Sequence, residues 1–196
     1  PTDVLIQFTD KEFLGISAKS TKTSGDIGFK NPGIGTVSTN LKVDLQKFNE
    51  QAVNNFLKKY PDLSKSASTR KKEIRADKKI AASAEDIGTK VLNSIRDELF
   101  KTLQSKKDKD LKEYLLNDWL DAKNAVYPRY IKVTGMKSGA NVEDPMANSK
   151  IAALSSYDVV LSKVGNDSIG VSAGKKRIMK MRAKYESQKL AISVKF

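Results

Sequence analysis

Histidine and cysteine are both absent from the 196 residues, and these two absences remove most familiar catalytic chemistry. Without histidine there is no Ser-His-Asp triad, no imidazole acid or base, and no histidine-held metal. Without cysteine there is no disulfide and no thiolate nucleophile. Lacking both, the chain has no ordinary zinc ligand set. No run approaches the roughly 18 consecutive apolar residues of a membrane span, and the start lacks the basic-then-apolar layout of a signal peptide. The expectation is a soluble, intracellular, cytoplasmic chain with no membrane partner.

What is abundant is positive charge. Lysine and arginine number 36 against 23 acidic residues, a formal net charge of +13, so a polyanion is the first partner to expect, and nucleic acid leads. The plainer alternative is a basic assembly protein with a solvated lysine-rich surface. Hydrophobic residues make up 39%, low but adequate for a globular core, and the length fits one domain over residues 1–196. With histidine and cysteine excluded, hydrolysis would fall to carboxylates holding a hard cation such as Mg²⁺ or Mn²⁺, with lysine or water managing the proton.

The order of patterns along the chain is strands, helices, strands. "DVLIQF" and "FLGISAK" are rich in β-branched and aromatic residues and flank the polar "TDKE", which reads as an antiparallel hairpin. Residues 20–40 are dense in Gly, Ser and Thr and read as loop, with an extended piece at "GTVS". Helical spacing then places Leu45, Phe48, Ala52, Val53, Phe56 and Leu57 on one stripe that Pro61 stops. A further helix is expected from Ser83, three residues before Asp86 in the manner of a cap, with Ile87, Val91, Ile95 and Leu99 on one face. Leu111, Leu115 and Trp119 align on another, and Trp119 and Phe100 are expected in the core. After Pro128 come "RYIKVTG", a polar excursion over "MKSGANVEDPMANSK", and a meander through "YDVVLSKVG", "SIGVSAG", "KRIMKMRAKY" and "KLAISVKF". In the meander, alternation of Ile178, Lys180, Arg182 and Lys184 with Met179, Met181, Ala183 and Tyr185 predicts a basic face and a buried face. The fold class is α+β: a hairpin and C-terminal strands in a mixed sheet, with a three- to four-helix segment inserted over roughly 43–123.

Cleavage of a phosphodiester by a hard cation needs a carboxylate for the metal, a second oxygen ligand nearby, and often a lysine beside the attacking water. The hairpin carries those types: Asp3 opens one strand, and Ser17, Ala18 and Lys19 close the next. This order resembles the PD-(D/E)XK nuclease superfamily, of restriction-endonuclease-like fold, with "PTD" in the place of that family's PD and "SAK" in the place of its (D/E)XK. Ser17 stands where the second acidic residue would be. The resemblance implies a restriction-endonuclease-like core and a Mg²⁺- or Mn²⁺-dependent DNA endonuclease. In it Asp3 would hold the metal, Lys19 would assist the water, and Ser17 would complete the shell. Asp26 is the nearest downstream carboxylate and a candidate replacement acid, though such a residue also caps turns. A homodimer would suit cutting of two strands, and small basic nucleases of this kind suit a phage or mobile element.

Strand geometry adds a condition of its own. Directly opposed residues of an antiparallel pair point to the same side, so Asp3 faces Ser17 or Lys19 only if paired residue numbers sum to an even value. A plain two-residue turn at Asp10-Lys11 would set Asp3 against Ala18. The nuclease reading therefore requires a three-residue loop or a bulge near residues 9–12. For phosphate contact the candidates are Lys22 and Lys30 in the glycine-rich loop, Arg70, Lys71, Lys72 and Arg75 in the basic run, and Lys175, Lys176, Arg177, Lys180 and Arg182 near the C-terminus. The second hypothesis is a non-catalytic basic nucleic-acid-binding or assembly protein whose hairpin is structural.

Overall fold

A computed structural model of the chain describes residues 3–20, 32–120, 129–144, 149–191 and 193–196. Its secondary structure is mixed α and β, with six α-helices and nine strands among the described residues. The chain divides into two compact units: Pro1–Lys30 with Lys107–Val160 and Ser172–Met179, and Asn31–Lys106 with Leu161–Val171 and Lys180–Phe196.

The first unit is organised by a four-stranded sheet in the order β1 (Val4–Gln7), β2 (Phe13–Ser20), β3 (Arg129–Met136), β4 (Gly139–Glu143). The outer pairs are antiparallel and the central pair β2–β3 is parallel, so the sheet is mixed. The hairpin β1–β2 closes as its sequence requires. Phe8 N–H donates to Glu12 O at 2.8 Å and Lys11 N–H to Phe8 O at 3.0 Å, while Lys11 takes a left-handed φ of 67°. A turn of this kind followed by a left-handed residue makes a three-residue loop, Thr9–Lys11. The unit also holds α5 (Asp108–Tyr114), which runs into a π-helical turn at Leu115–Trp119, and α6 (Ser149–Ser156). Its apolar burial comes from Leu111, Tyr114, Leu115, Trp119, Ile151 and Leu154. The segment expected as a polar excursion, residues 136–150, contains β4, and α6 begins at its last two residues. No element is expected over most of the α6 stretch because its serines and alanines carry little periodic signal, yet Ile151 and Leu154 are buried one turn apart.

The second unit is mainly helical: α1 (Ile34–Leu41), α2 (Gln46–Lys59), α3 (Ala67–Ala76) and α4 (Lys78–Gln104). Where an extended piece is expected at "GTVS", the chain is instead α1. Low-propensity Gly, Thr and Ser hide a helical spacing that buries Ile34, Val37 and Leu41, and tertiary burial overrides the weak local preference. The helix expected to begin at Ser83 begins earlier. Asp77 is the cap, its Oδ1 accepting from Lys79 N–H at 2.7 Å and Ile80 N–H at 3.1 Å, and Ser83 lies inside α4. Along α4, Ala84, Val91, Leu92, Ile95, Leu99 and Leu103 are buried. Gly88 on the same helix admits the stem of Lys189, whose Cβ would stand 2.6 Å from any Cβ placed there. The ammonium then reaches Glu85 Oε1 at 2.5 Å and Thr89 Oγ1 at 2.8 Å.

The C-terminal strands do not join the four-stranded sheet. β5 (Val159–Val164), β6 (Ser168–Ala173) and β7 (Lys176–Arg182) form a three-stranded sheet in that order, and β8 (Lys184–Tyr185) pairs with β9 (Val194–Lys195). Met181, Ala183 and Tyr185 are buried while Lys180 and Arg182 are exposed, as alternation predicts. The alternation breaks at Ile178, which is buried although it shares parity with Lys180. Among the described residues no helix is long and apolar enough to cross a membrane.

Candidate functional site

The start of β1 and the end of β2 meet in the register the hairpin loop dictates. Val4 pairs with Ile16, Leu5 with Gly15, Ile6 with Leu14 and Gln7 with Phe13, every pair summing to an even value, the parity the nuclease reading requires, and the ladder ends at Val4 with Asp3 just beyond it. Asp3 continues it with its side chain. Its N–H donates to Ile16 O at 2.8 Å, and its Oδ2 accepts the N–H of Ala18 at 2.7 Å, as the next main-chain carbonyl would have done. The Asp3 carboxylate is therefore seated on the segment Ser17-Ala18-Lys19. Lys19 is placed by its backbone in β2, opposite Thr134.

The same register carries the row across the sheet. Ser17 is opposite Lys132 on β3, and Lys132 is opposite Glu143 on β4. Ser17 is 5% exposed and Lys132 2%, with Lys132 Nζ 3.5 Å from Glu143 Oε2. Thr134, one row further along β3, is buried too. Burying an ammonium group is costly unless it is paired and hydrogen-bonded, so a polar row buried more deeply than the apolar side chains of the same strands marks a candidate site on physical grounds. Lys132, Thr134 and Glu143 escape sequence reading because they join this row only through parallel pairing of β2 with a strand more than a hundred residues away. "RYIKVTG" by itself shows an ordinary alternation, in which a lysine reads as solvated.

Two constraints bear on a cation here. Asp3 and Glu143 stand at opposite edges of the row, three strand spacings or about 14 Å apart, too far to share one ion whose oxygen ligands lie within about 2–3 Å. Among the described residues no group of three or more acidic side chains could hold a metal. Mg²⁺ keeps several waters and is commonly held by one or two carboxylates. The single exposed carboxylate of Asp3 fits a largely hydrated ion and no tighter site. Asp26, Lys22 and Lys30 lie outside the described residues.

The basic candidates separate once their partners are known. Arg70 is corrected: it is 5% exposed, and its guanidinium donates to Leu190 O at 2.9 Å, Lys65 O at 2.7 Å, Ser64 O at 3.1 Å and Ala191 O at 3.4 Å. Burial lowers its pKa from the usual arginine value, and the carbonyls occupy the fork that a phosphate would need. Arg75 is exposed but donates to Ser187 Oγ at 2.9 Å, and Arg182 pairs with Asp167 at 2.9 Å. Lys72, Lys175, Arg177 and Lys180 are exposed, Lys71 is half-buried, and Lys176 is exposed with Nζ 2.6 Å from Ser149 Oγ.

Comparison of the chain with protein-family models, curated proteins and solved structures finds no match.

Proposed function

We propose that the chain is a Mg²⁺- or Mn²⁺-dependent DNA endonuclease built on a restriction-endonuclease-like core. The observation that carries the reading is the Asp3 carboxylate, held 2.7 Å from the backbone nitrogen of Ala18, the residue between Ser17 and Lys19. An acid, a hydroxyl and the backbone of Lys19 are thereby gathered at one end of a hairpin in a strongly basic chain. In this reading Asp3 binds the cation through its oxygens, Ser17 or its backbone adds an oxygen, and Lys19 steadies the attacking water. Bound there, the cation supplies an acidified water and neutralises charge on the scissile phosphate. Exposed lysines and arginines, Lys72, Lys175, Arg177 and Lys180 among them, hold flanking phosphates without reading sequence.

A second reading has an observation in its favour. The contact that seats Asp3 also completes a β-ladder, which is a structural task, and the described residues contain no three-acid cluster. On that reading the chain is a non-catalytic basic nucleic-acid-binding or assembly protein. Plasmid cleavage separates the two. The nuclease reading expects cutting with Mg²⁺ or Mn²⁺, none with EDTA, and a loss of about a hundredfold or more in both Asp3→Asn and Lys19→Ala. No cutting by the unmodified chain, with salt-sensitive DNA binding retained in both variants, would establish the binding protein.

A further inference from the structure

We propose that the groove between α6 and the β6–β7 turn binds one unstacked nucleotide of a nucleic-acid single strand, its base against Tyr157 and its phosphate at Lys175 and Lys176. The groove is an open depression of ≈ 790 Å³ lined by Ser149, Ala153, Tyr157, Gly174, Lys175 and Lys176 among others. That volume is in the usual range for small-molecule sites. It is large enough for one nucleotide.

Its two ends differ in chemistry. At one end is an aromatic ring with a free side. Tyr157 closes the last turn of α6, its N–H donating to Ala153 O at 3.0 Å, yet it is 57% exposed. Gly174 seats the ring from one side: a Cβ there would stand 3.1 Å from the ring, and the glycine's φ of +57° is one that other residues rarely adopt. The turn thus holds the ring without covering it, and a base has a π-face to stack on, a contact that tolerates any base.

At the other end positive charge accumulates. Lys176 Nζ lies 2.6 Å from Ser149 Oγ at the first turn of α6, and that turn contains no acidic residue. Lys150, the second residue of α6, is held below the ordinary lysine value, first by burial and then by the charge of Lys176. A phosphate at the exposed Lys176 would meet a field made more positive by Lys150. Lys175 adds a third positive charge in the turn, and the exposed Asp158 is the acid nearest Tyr157 in sequence. An aromatic face and a phosphate-seeking cluster across one groove match a nucleotide better than they match a bare anion, which would have no use for Tyr157. Bases in a duplex are already stacked, which selects a single strand.

The inference rests on the nucleic-acid part of the reading above and is independent of cleavage. Anisotropy of a labelled thymidine oligonucleotide, titrated in EDTA, tests it. Tyr157→Ala should weaken binding about tenfold and Tyr157→Phe should leave it unchanged. Binding to a duplex of the same length should move less than about twofold in Tyr157→Ala. The Lys175→Gln/Lys176→Gln pair, both on exposed positions, should reduce the salt slope on the single strand by about 1.4. Single-strand binding by Tyr157→Ala equal to that of the unmodified chain, an equal loss on single strand and duplex, or an unchanged salt slope in the lysine pair would each overturn the proposal. If the unmodified chain does not cut DNA yet the Tyr157 effect is found, the nuclease reading fails and the groove stands. Normal cutting with no Tyr157 effect means the reverse.

Discussion

The helical unit and the four-stranded sheet bury opposite kinds of side chain. In the helical unit the innermost residues are Leu45, Phe56, Ile74, Ile95, Leu99 and Leu103, each at most 1% exposed, and its buried charges are consumed by carbonyls and side-chain partners. Arg70 meets four carbonyls. Arg96 donates to Gly165 O at 2.5 Å, to Asp97 Oδ1 at 2.6 Å, and to Asn93. In the sheet the order is inverted. Ser17, Lys132 and Thr134 are buried, while Val4, Leu5, Phe8 and Val142 are about half exposed or more. The first arrangement maximises burial of apolar area and satisfies each polar exception, as a scaffold should. The second spends stability on polar groups, the pattern expected where side chains serve chemistry or a partner.

That contrast can be broken by mutation, beginning where the effect is largest. Leu99→Ala removes a fully buried side chain from α4 and should cost about 3–4 kcal/mol by urea denaturation; a cost under about 1 kcal/mol would mean the helical core is not close-packed. Arg70→Met leaves the carbonyls of Ser64, Lys65, Leu190 and Ala191 without their donor, and a loss of about 2–3 kcal/mol is expected. DNA affinity should not fall beyond what that instability causes, since the guanidinium does not reach solvent. Lys132→Met is the sharpest comparison. The Glu143 side chain it would leave behind is 26% exposed and can be hydrated, so stability should change by no more than about 1 kcal/mol. Nuclease activity, if present, should fall with it. A stability loss as large as that of Arg70→Met would make the sheet row structural, like its helical counterpart.

The smallest effect concerns acid. Asp97 is held below the usual carboxylate range, first by its hydrogen bond with Lys163 and also by Arg96, with Lys163 Nζ at 2.7 Å. A carboxylate with a lowered folded-state pKa stabilises the fold above its unfolded value, about pH 4, and that contribution disappears as the pH falls through the folded value. Asp97→Asn should therefore melt slightly below the unmodified chain at neutral pH, the gap closing as the pH falls below about 4. A gap constant down to pH 2 would assign the difference to packing instead of charge.

Legibility in the sequence followed the range of the forces involved. The hairpin, α2, much of α4, β3 and the meander could be read because alternation or helical spacing exposes one apolar face within each segment. Side-chain parity along a strand is local arithmetic, so the nuclease reading could require a three-residue loop or a bulge, but the choice of that loop over a two-residue turn came from the structure. α1 and α6 could not be read, since their Gly, Ser and Thr weaken a periodic signal that only burial restores. Asp77 rather than Ser83 caps α4 because the basic stretch before Ser83 has its apolar positions, such as Ile80, half-buried against neighbours invisible to a local scan. Among basic residues, Arg70 and Lys72 look alike in the run "TRKKE", yet one is buried against carbonyls and the other is exposed.

By itself the sequence determined the class of this protein: α+β, strongly basic, without histidine or thiol chemistry, and with an N-terminal hairpin that carries Asp3, Ser17 and Lys19. Composition and periodicity are sums over near neighbours, so they survive without coordinates. Tertiary structure alone decided that Lys132 and Glu143 extend a row from Ser17, that Arg70 belongs to the core, and that Tyr157, Lys175 and Lys176 share a groove. Each of these depends on pairing between distant segments, where the free energy of burial, not local preference, selects the neighbour.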